Sequence, residues 1–80
     1  MEVLLFGIAK DIVGSSVLDL SGLKSKPASV EELIHLIKSD FPEFKKLTSL
    51  AIAVNGEYAT NGLSLQAHDE IAIIPPVSGG

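Results

Sequence analysis

The 80-residue sequence predicts an α+β domain in which a mixed sheet packs on one main helix. Three observations point there. A single amphipathic helical stripe lies in the middle of the chain, strand-length apolar runs flank it, and an Asn-Gly turn splits the second half into a hairpin. A helix with one apolar stripe needs a sheet to lie against, and the flanking runs can supply it.

Glu2 to Ala9 is an apolar run of strand length, with Val3 and Leu5 on one face and Leu4 and Phe6 on the other. Gly14, Ser15 and Ser16 then give a turn, and Val17, Leu18 and Leu20 suit a second strand antiparallel to the first. In Ser29-Val30-Glu31-Glu32 the Ser29 hydroxyl can accept from the Glu32 amide while the Glu32 side chain reaches back to Ser29, a capping box. Val30, Leu33, Ile34, Ile37 and Phe41 follow at helical spacing, and Pro42 disfavours helical geometry at Phe41. Leu50, Ile52 and Val54 alternate with Ala51 and Ala53, and Asn55-Gly56 is a strong turn signal because both residues tolerate positive φ. Glu57, Tyr58 and Ala59 continue the hairpin, and His68-Asp69-Glu70 forms a polar bend. Ile71 to Ile74 is the last strand, ended by Pro75-Pro76. The order is ββαβ(β)β. With the last strand beside the first, parallel to it across the helix, this is a β-grasp arrangement.

Composition narrows the function. At 46% hydrophobic and 20% charged the chain is globular, and no segment approaches the roughly 20 apolar residues of a membrane span. The amino end lacks the basic start and small-residue cleavage site of a signal peptide, so the expected location is the cytoplasm. There is no cysteine, which excludes disulfides, thiolate metal sites and cysteine nucleophiles. Six lysines, no arginine and a net charge of -4 argue against nucleic-acid binding. His35, His68, Glu31-Glu32 and Asp69-Glu70 form no catalytic or metal-ligating pattern, and the glycines form no phosphate loop. No cofactor is expected to bind.

The tail carries the functional argument. Residues 1–76 read as the folded domain and 77–80 as a flexible Gly-Gly tail, because Val77-Ser78-Gly79-Gly80 has neither the periodicity nor the bulk to join a core. From Ile74 to Gly80 an extended chain reaches roughly 20 Å, at about 3.3–3.6 Å per residue, enough to enter another protein's active site. Pro75 and Pro76 stiffen the base, while Gly79 and Gly80, without Cβ atoms, fit a narrow channel. Strand parity would leave Phe6 and Ile74 facing outward beside the tail, a candidate docking surface.

Pro75-Pro76-Val77-Ser78-Gly79-Gly80 resembles the tail of the molybdopterin synthase small subunits, ubiquitin-like sulfur carriers. Asp69-Glu70-Ile71-Ala72-Ile73-Ile74 and Ala53-Val54-Asn55 extend the likeness over the whole chain. The resemblance implies a sulfur-donating, non-catalytic subunit of a heterotetrameric sulfurtransferase, the catalytic residues lying on the large subunit. It also implies that an E1-like adenylyltransferase, using ATP bound there, adenylates Gly80. A sulfur donor protein then makes the thiocarboxylate that feeds molybdenum cofactor biosynthesis. A hydrophobic patch at Phe6 and Ile74 would meet both enzymes. One departure stands at Lys10-Asp11 before Gly14, where the family often has Arg-Glu: Lys10 as a partner contact keeps the charge and loses bidentate pairing. The alternatives are a sulfur carrier for thiamine, cysteine or transfer RNA thiolation, a ubiquitin-like modifier, and an interaction module that ignores the tail.

Overall fold

The computed structural model describes residues 1–22, 26–47 and 50–75. Pro76, Val77, Ser78, Gly79 and Gly80 lie outside the described residues, and with them the expected boundary between domain and tail. The chain runs β1 (Glu2–Leu5), α1 (Gly7–Val13), β2 (Val17–Asp19), α2 (Val30–Asp40), a 3-10 helix (Pro42–Lys46), β3 (Ala51–Val54), β4 (Glu57–Tyr58) and β5 (Ile71–Ile74).

The expected opening hairpin is corrected here. The first strand stops at Leu5 rather than Ala9, and Gly7 to Val13, ahead of the expected turn at Gly14-Ser15-Ser16, is a helix. A continuous apolar run fits a buried strand or a buried helix equally well by periodicity. The flanking glycines decide it. Gly7, at φ +53°, turns the chain out of the strand, and Gly14, at φ +86°, closes the helix by donating its N–H to the Lys10 carbonyl. Ala9 is thereby buried, with Ile12 and Val13 packed on the same core. β1 and β2 still pair antiparallel, with Val3 opposite Leu18, so α1 is an insertion between two correctly placed strands.

α2 begins as its sequence dictates, with one change of partner. The Ser29 hydroxyl accepts from the Glu32 amide at 3.3 Å, but the Glu32 carboxylate accepts from the Ala28 N–H rather than from Ser29. The carbonyls of Leu63 and Asn61 accept from the N–H groups of Val30 and Glu31. The loop ahead of β5 therefore satisfies helix donors that would otherwise have no intrahelical partner. Val30, Leu33 and Ile37 are buried, whereas Ile34 and Phe41 are half-buried at the rim. The helix ends before Pro42, and Phe44 in the following 3-10 helix fills the core, with the Phe41 ring edge-on at 6.4 Å.

The sheet order is β2-β1-β5-β3-β4. β1 and β5 are parallel at its centre, Leu5 beside Ile73, and the other pairings are antiparallel. Asn55, at φ +54°, and Gly56, at φ +84°, make the tight turn between β3 and β4. Val3, Leu5, Ile52, Val54, Ile71 and Ile73 face the helices and form one core with Val30, Leu33, Ile37 and Phe44. This is a mixed β-grasp sheet with its helices gathered over one face.

Candidate functional site

The strand registers organise the other face into rows. Val17 pairs with Leu4, Leu4 with Ala72, Ala72 with Ala53, and Ala53 with Tyr58, so one apolar row crosses all five strands. Tyr58 is 76% exposed. A second row, nearer the end of β5, holds Ala51 opposite Ile74. Carrying the β1–β5 register one residue further sets Phe6 level with Ile74. Phe6 is 51% exposed and Ile74 half-buried. Of the two residues that parity assigned to the outer face, Phe6 thus follows the end of β1 directly and Ile74 closes the neighbouring β5. Leu4, which parity set on the face of Phe6, extends the same surface, and so do Val17 and Tyr58, which were missed: Tyr58 sits in a two-residue strand, too short to show an alternation. Among the described residues, no helix covers this face.

β5 delivers the chain to the edge of that surface. Beyond Ile74, Pro75 packs next to Gly7, where a Cβ built on the glycine would stand 3.5 Å from the proline Cγ. Phe6 precedes α1 as its N-cap, and exposed Lys10 follows it by four residues along that helix. Phe6, Lys10, Ile74 and Pro75 therefore gather at one end of the β1–β5 pair. Pro76, Val77, Ser78, Gly79 and Gly80 follow in sequence and are outside the described residues.

The opposite end of the sheet is polar and tied down. The Asn55 side chain donates to Asp69 Oδ1 at 3.0 Å and accepts from the Glu70 N–H at 3.0 Å. Asp69 Oδ2 accepts from the Gln66 N–H at 2.8 Å. That bond first, and the Asn55 amide second, hold the Asp69 carboxyl below its ordinary pKa. A recess of about 410 Å³ beside this clasp is lined by Glu2, Leu4, His68 and Glu70 among others. His35 lies elsewhere, 4.0 Å from Glu31 on the exposed side of α2. Among the described residues no three His, Asp or Glu side chains converge as a metal site.

A five-stranded mixed sheet with its helices on one face and an apolar row across the other defines the ubiquitin-like β-grasp class. The chain belongs to the ThiS family, whose pattern matches residues 3–80. It is 35% identical over 81 residues to the molybdopterin synthase sulfur carrier subunit of Arabidopsis thaliana, covering all of this chain and 82% of that protein. Small archaeal modifier protein 1 of Methanosarcina acetivorans superposes with a TM-score of 0.77 at 26% identity, over 99% of this chain and 94% of that one. One chain of the complex of subunits 1 and 2 of the molybdopterin-converting factor from Helicobacter pylori is also similar. That match has a TM-score of 0.64 at 25% identity, over 99% of this chain and 96% of the other.

Proposed function

We propose that the chain is the sulfur carrier subunit of a molybdopterin synthase and that the Gly80 carboxylate is its working group. The observation that carries this reading is the junction at Pro75. β5 is locked between β1 and β3, its last residues emerge beside an apolar face, and five residues of tail sequence ending in Gly-Gly follow. Relatedness over the full length to molybdopterin synthase sulfur carriers supports the choice of pathway.

A carboxylate is ionised at pH 7 and resists nucleophiles until one oxygen becomes part of a leaving group. An E1-like adenylyltransferase supplies that group: the Gly80 oxygen attacks the α-phosphorus of ATP, pyrophosphate departs, and an acyl adenylate results. The outer sulfur of a donor protein's persulfide then attacks the acyl carbon and AMP leaves, giving an acyl disulfide. A thiol attacks the donor-side sulfur of that bond, forms a disulfide with the donor, and releases the thiocarboxylate. ATP is held by the adenylyltransferase, and this chain needs no cofactor of its own. The large synthase subunit supplies the catalytic residues, takes the tail through Val77 to Gly80, and receives sulfur for the pyranopterin precursor. Phe6, Ile74 and Tyr58 present the apolar docking surface, with Lys10 at its border. The reading places the chain in the cytoplasm, with neither nucleic acid nor membrane as a partner.

The likeness to a small archaeal modifier protein favours a second reading, in which the activated Gly80 forms isopeptide bonds to protein lysines. One incubation separates the two. The chain is combined with a cognate adenylyltransferase, ATP and a sulfur donor, and the intact mass is measured. A gain of about 16 Da located on Gly80 is expected for exchange of oxygen for sulfur. Loss of that gain on deleting Gly80, with Tm unchanged, completes the expected pattern. Lysine-linked conjugates without a thiocarboxylate would favour the modifier, and neither product with a competent enzyme would sink both.

A further inference from the structure

We infer that Asn55 is a latent deamidation site, held shut by its clasp to Asp69 and Glu70, whose conversion would unfasten the start of β5. The dipeptide Asn55-Gly56 is chemically predisposed. A following glycine offers its backbone nitrogen with no side chain in the way, and the position where a Cβ of Gly56 would stand is open space. In the reaction the Gly56 nitrogen gives up its proton to solvent base and bonds to the Asn55 Cγ. The Cγ–Nδ2 bond breaks, and nitrogen leaves as ammonia after taking a proton. Water then opens the cyclic imide at either carbonyl, leaving aspartate or isoaspartate.

Three features of the fold oppose the first step. Asn55 Nδ2, the leaving nitrogen, is bonded to Asp69 Oδ1, and Oδ1 of Asn55 is bonded to the Glu70 N–H, so the carboxamide cannot rotate freely towards Gly56. The Asn55 N–H is meanwhile fixed to the Glu70 carbonyl at 2.7 Å. Both turn residues are held at positive φ by the β3–β4 pairing. Asp69 is in turn fixed by the Gln66 N–H.

The same bonds make conversion damaging. A carboxylate at 55 loses the donor that meets Asp69 and sets a second negative charge 3.0 Å from the first. The Asp69 side chain and the Glu70 N–H stand immediately before Ile71, the first residue of β5, which pairs with both β1 and β3. The clasp thus joins the β3–β4 turn to the strand that ends at Pro75. This inference does not depend on the sulfur-carrier reading, and its test needs no partner enzyme.

The full chain is incubated at pH 7.4 and 37 °C, native and in guanidinium chloride, and residue 55 is followed by peptide mass. Ammonia (about 17 Da) leaves and water (about 18 Da) enters, a gain of about 1 Da. Native protein should convert at least about tenfold more slowly than denatured protein, as expected when two or three hydrogen bonds must open first. Asp69→Ala, or Asp69→Asn if the alanine variant does not fold, should bring the native rate towards the denatured one. Asn55→Asp should lower Tm at pH 7 and lower it less at acid pH, where the facing carboxylates protonate. Equal rates in native and denatured chain, a folded Asp69 variant converting as slowly as wild type, or an Asn55→Asp protein with unchanged Tm would each overturn the inference.

Discussion

Gly7 stands against Pro75: a Cβ on the glycine would sit 3.5 Å from the proline Cγ, at a backbone φ of +53°. One residue thus ends β1, starts α1 and forms the wall beside which the chain leaves the sheet. Gly7→Leu is expected to lose stability from the positive φ and, in addition, to push Pro75 aside. Gly14→Ala is the control. It carries a positive φ too, at +86°, but nothing lies within 4 Å of its added Cβ. Strain of this kind costs about 1–2 kcal/mol, so both variants should lower Tm, while only Gly7→Leu should slow thiocarboxylate formation at saturating adenylyltransferase. Equal rates in the two variants would leave Gly7 with a purely local role.

Truncations within α2 should separate core from rim. Ile37 is fully buried and Ile34 only half-buried. Ile37→Ala is expected to destabilise the domain by about 2–5 kcal/mol, and Ile34→Ala by clearly less, because its site is open to solvent and leaves a smaller cavity. Chemical denaturation of the two variants checks the order. In a domain this small the larger loss is a substantial fraction of the total stability.

Removing an exposed aromatic should cost binding and spare the fold. Tyr58→Ala and Phe6→Ala each delete a large side chain from the uncovered sheet face. Each is expected to weaken the complex with the large subunit by about 1–2 kcal/mol, roughly 5- to 30-fold, with Tm nearly unchanged. Calorimetric titration against that subunit reads the effect, and unchanged affinity in both would remove the outer face from the interface.

Acid should act through Asp69. Its carboxyl is held below the ordinary value by the Gln66 N–H and then by the Asn55 amide. A depressed folded pKa contributes stability above the unfolded value of about 3.9, and that contribution disappears as pH falls through the folded value. The Tm gap between wild type and Asp69→Asn should therefore be largest near neutrality and close in strong acid. A gap independent of pH would show that the carboxylate charge is not what holds the loop.

Much of this was legible in the residues. The Ser29 cap, the stripe of Val30, Leu33 and Ile37, the Asn55-Gly56 turn and the β5 run are local signals, each set by hydrogen-bonding capacity or side-chain period within a few residues. α1 was not legible as a helix. Its apolar residues continue those of β1, and two flanking glycines read as turn punctuation until the positive φ of each is known. The partner of Glu32 also depended on where Ala28 is held by its bond from Leu65, a contact 37 positions away in sequence.

The sequence by itself determined the strand types flanking the main helix from β3 onward, the cap and stripe of that helix and the net negative charge, because these depend on composition and short-range pattern. Only the tertiary structure decided that Val17, Leu4, Ala72, Ala53 and Tyr58 form one row and that Asn55 fastens Asp69. Those relationships follow from strand register, and register is fixed by pairing between segments that the chain brings together only when the core closes.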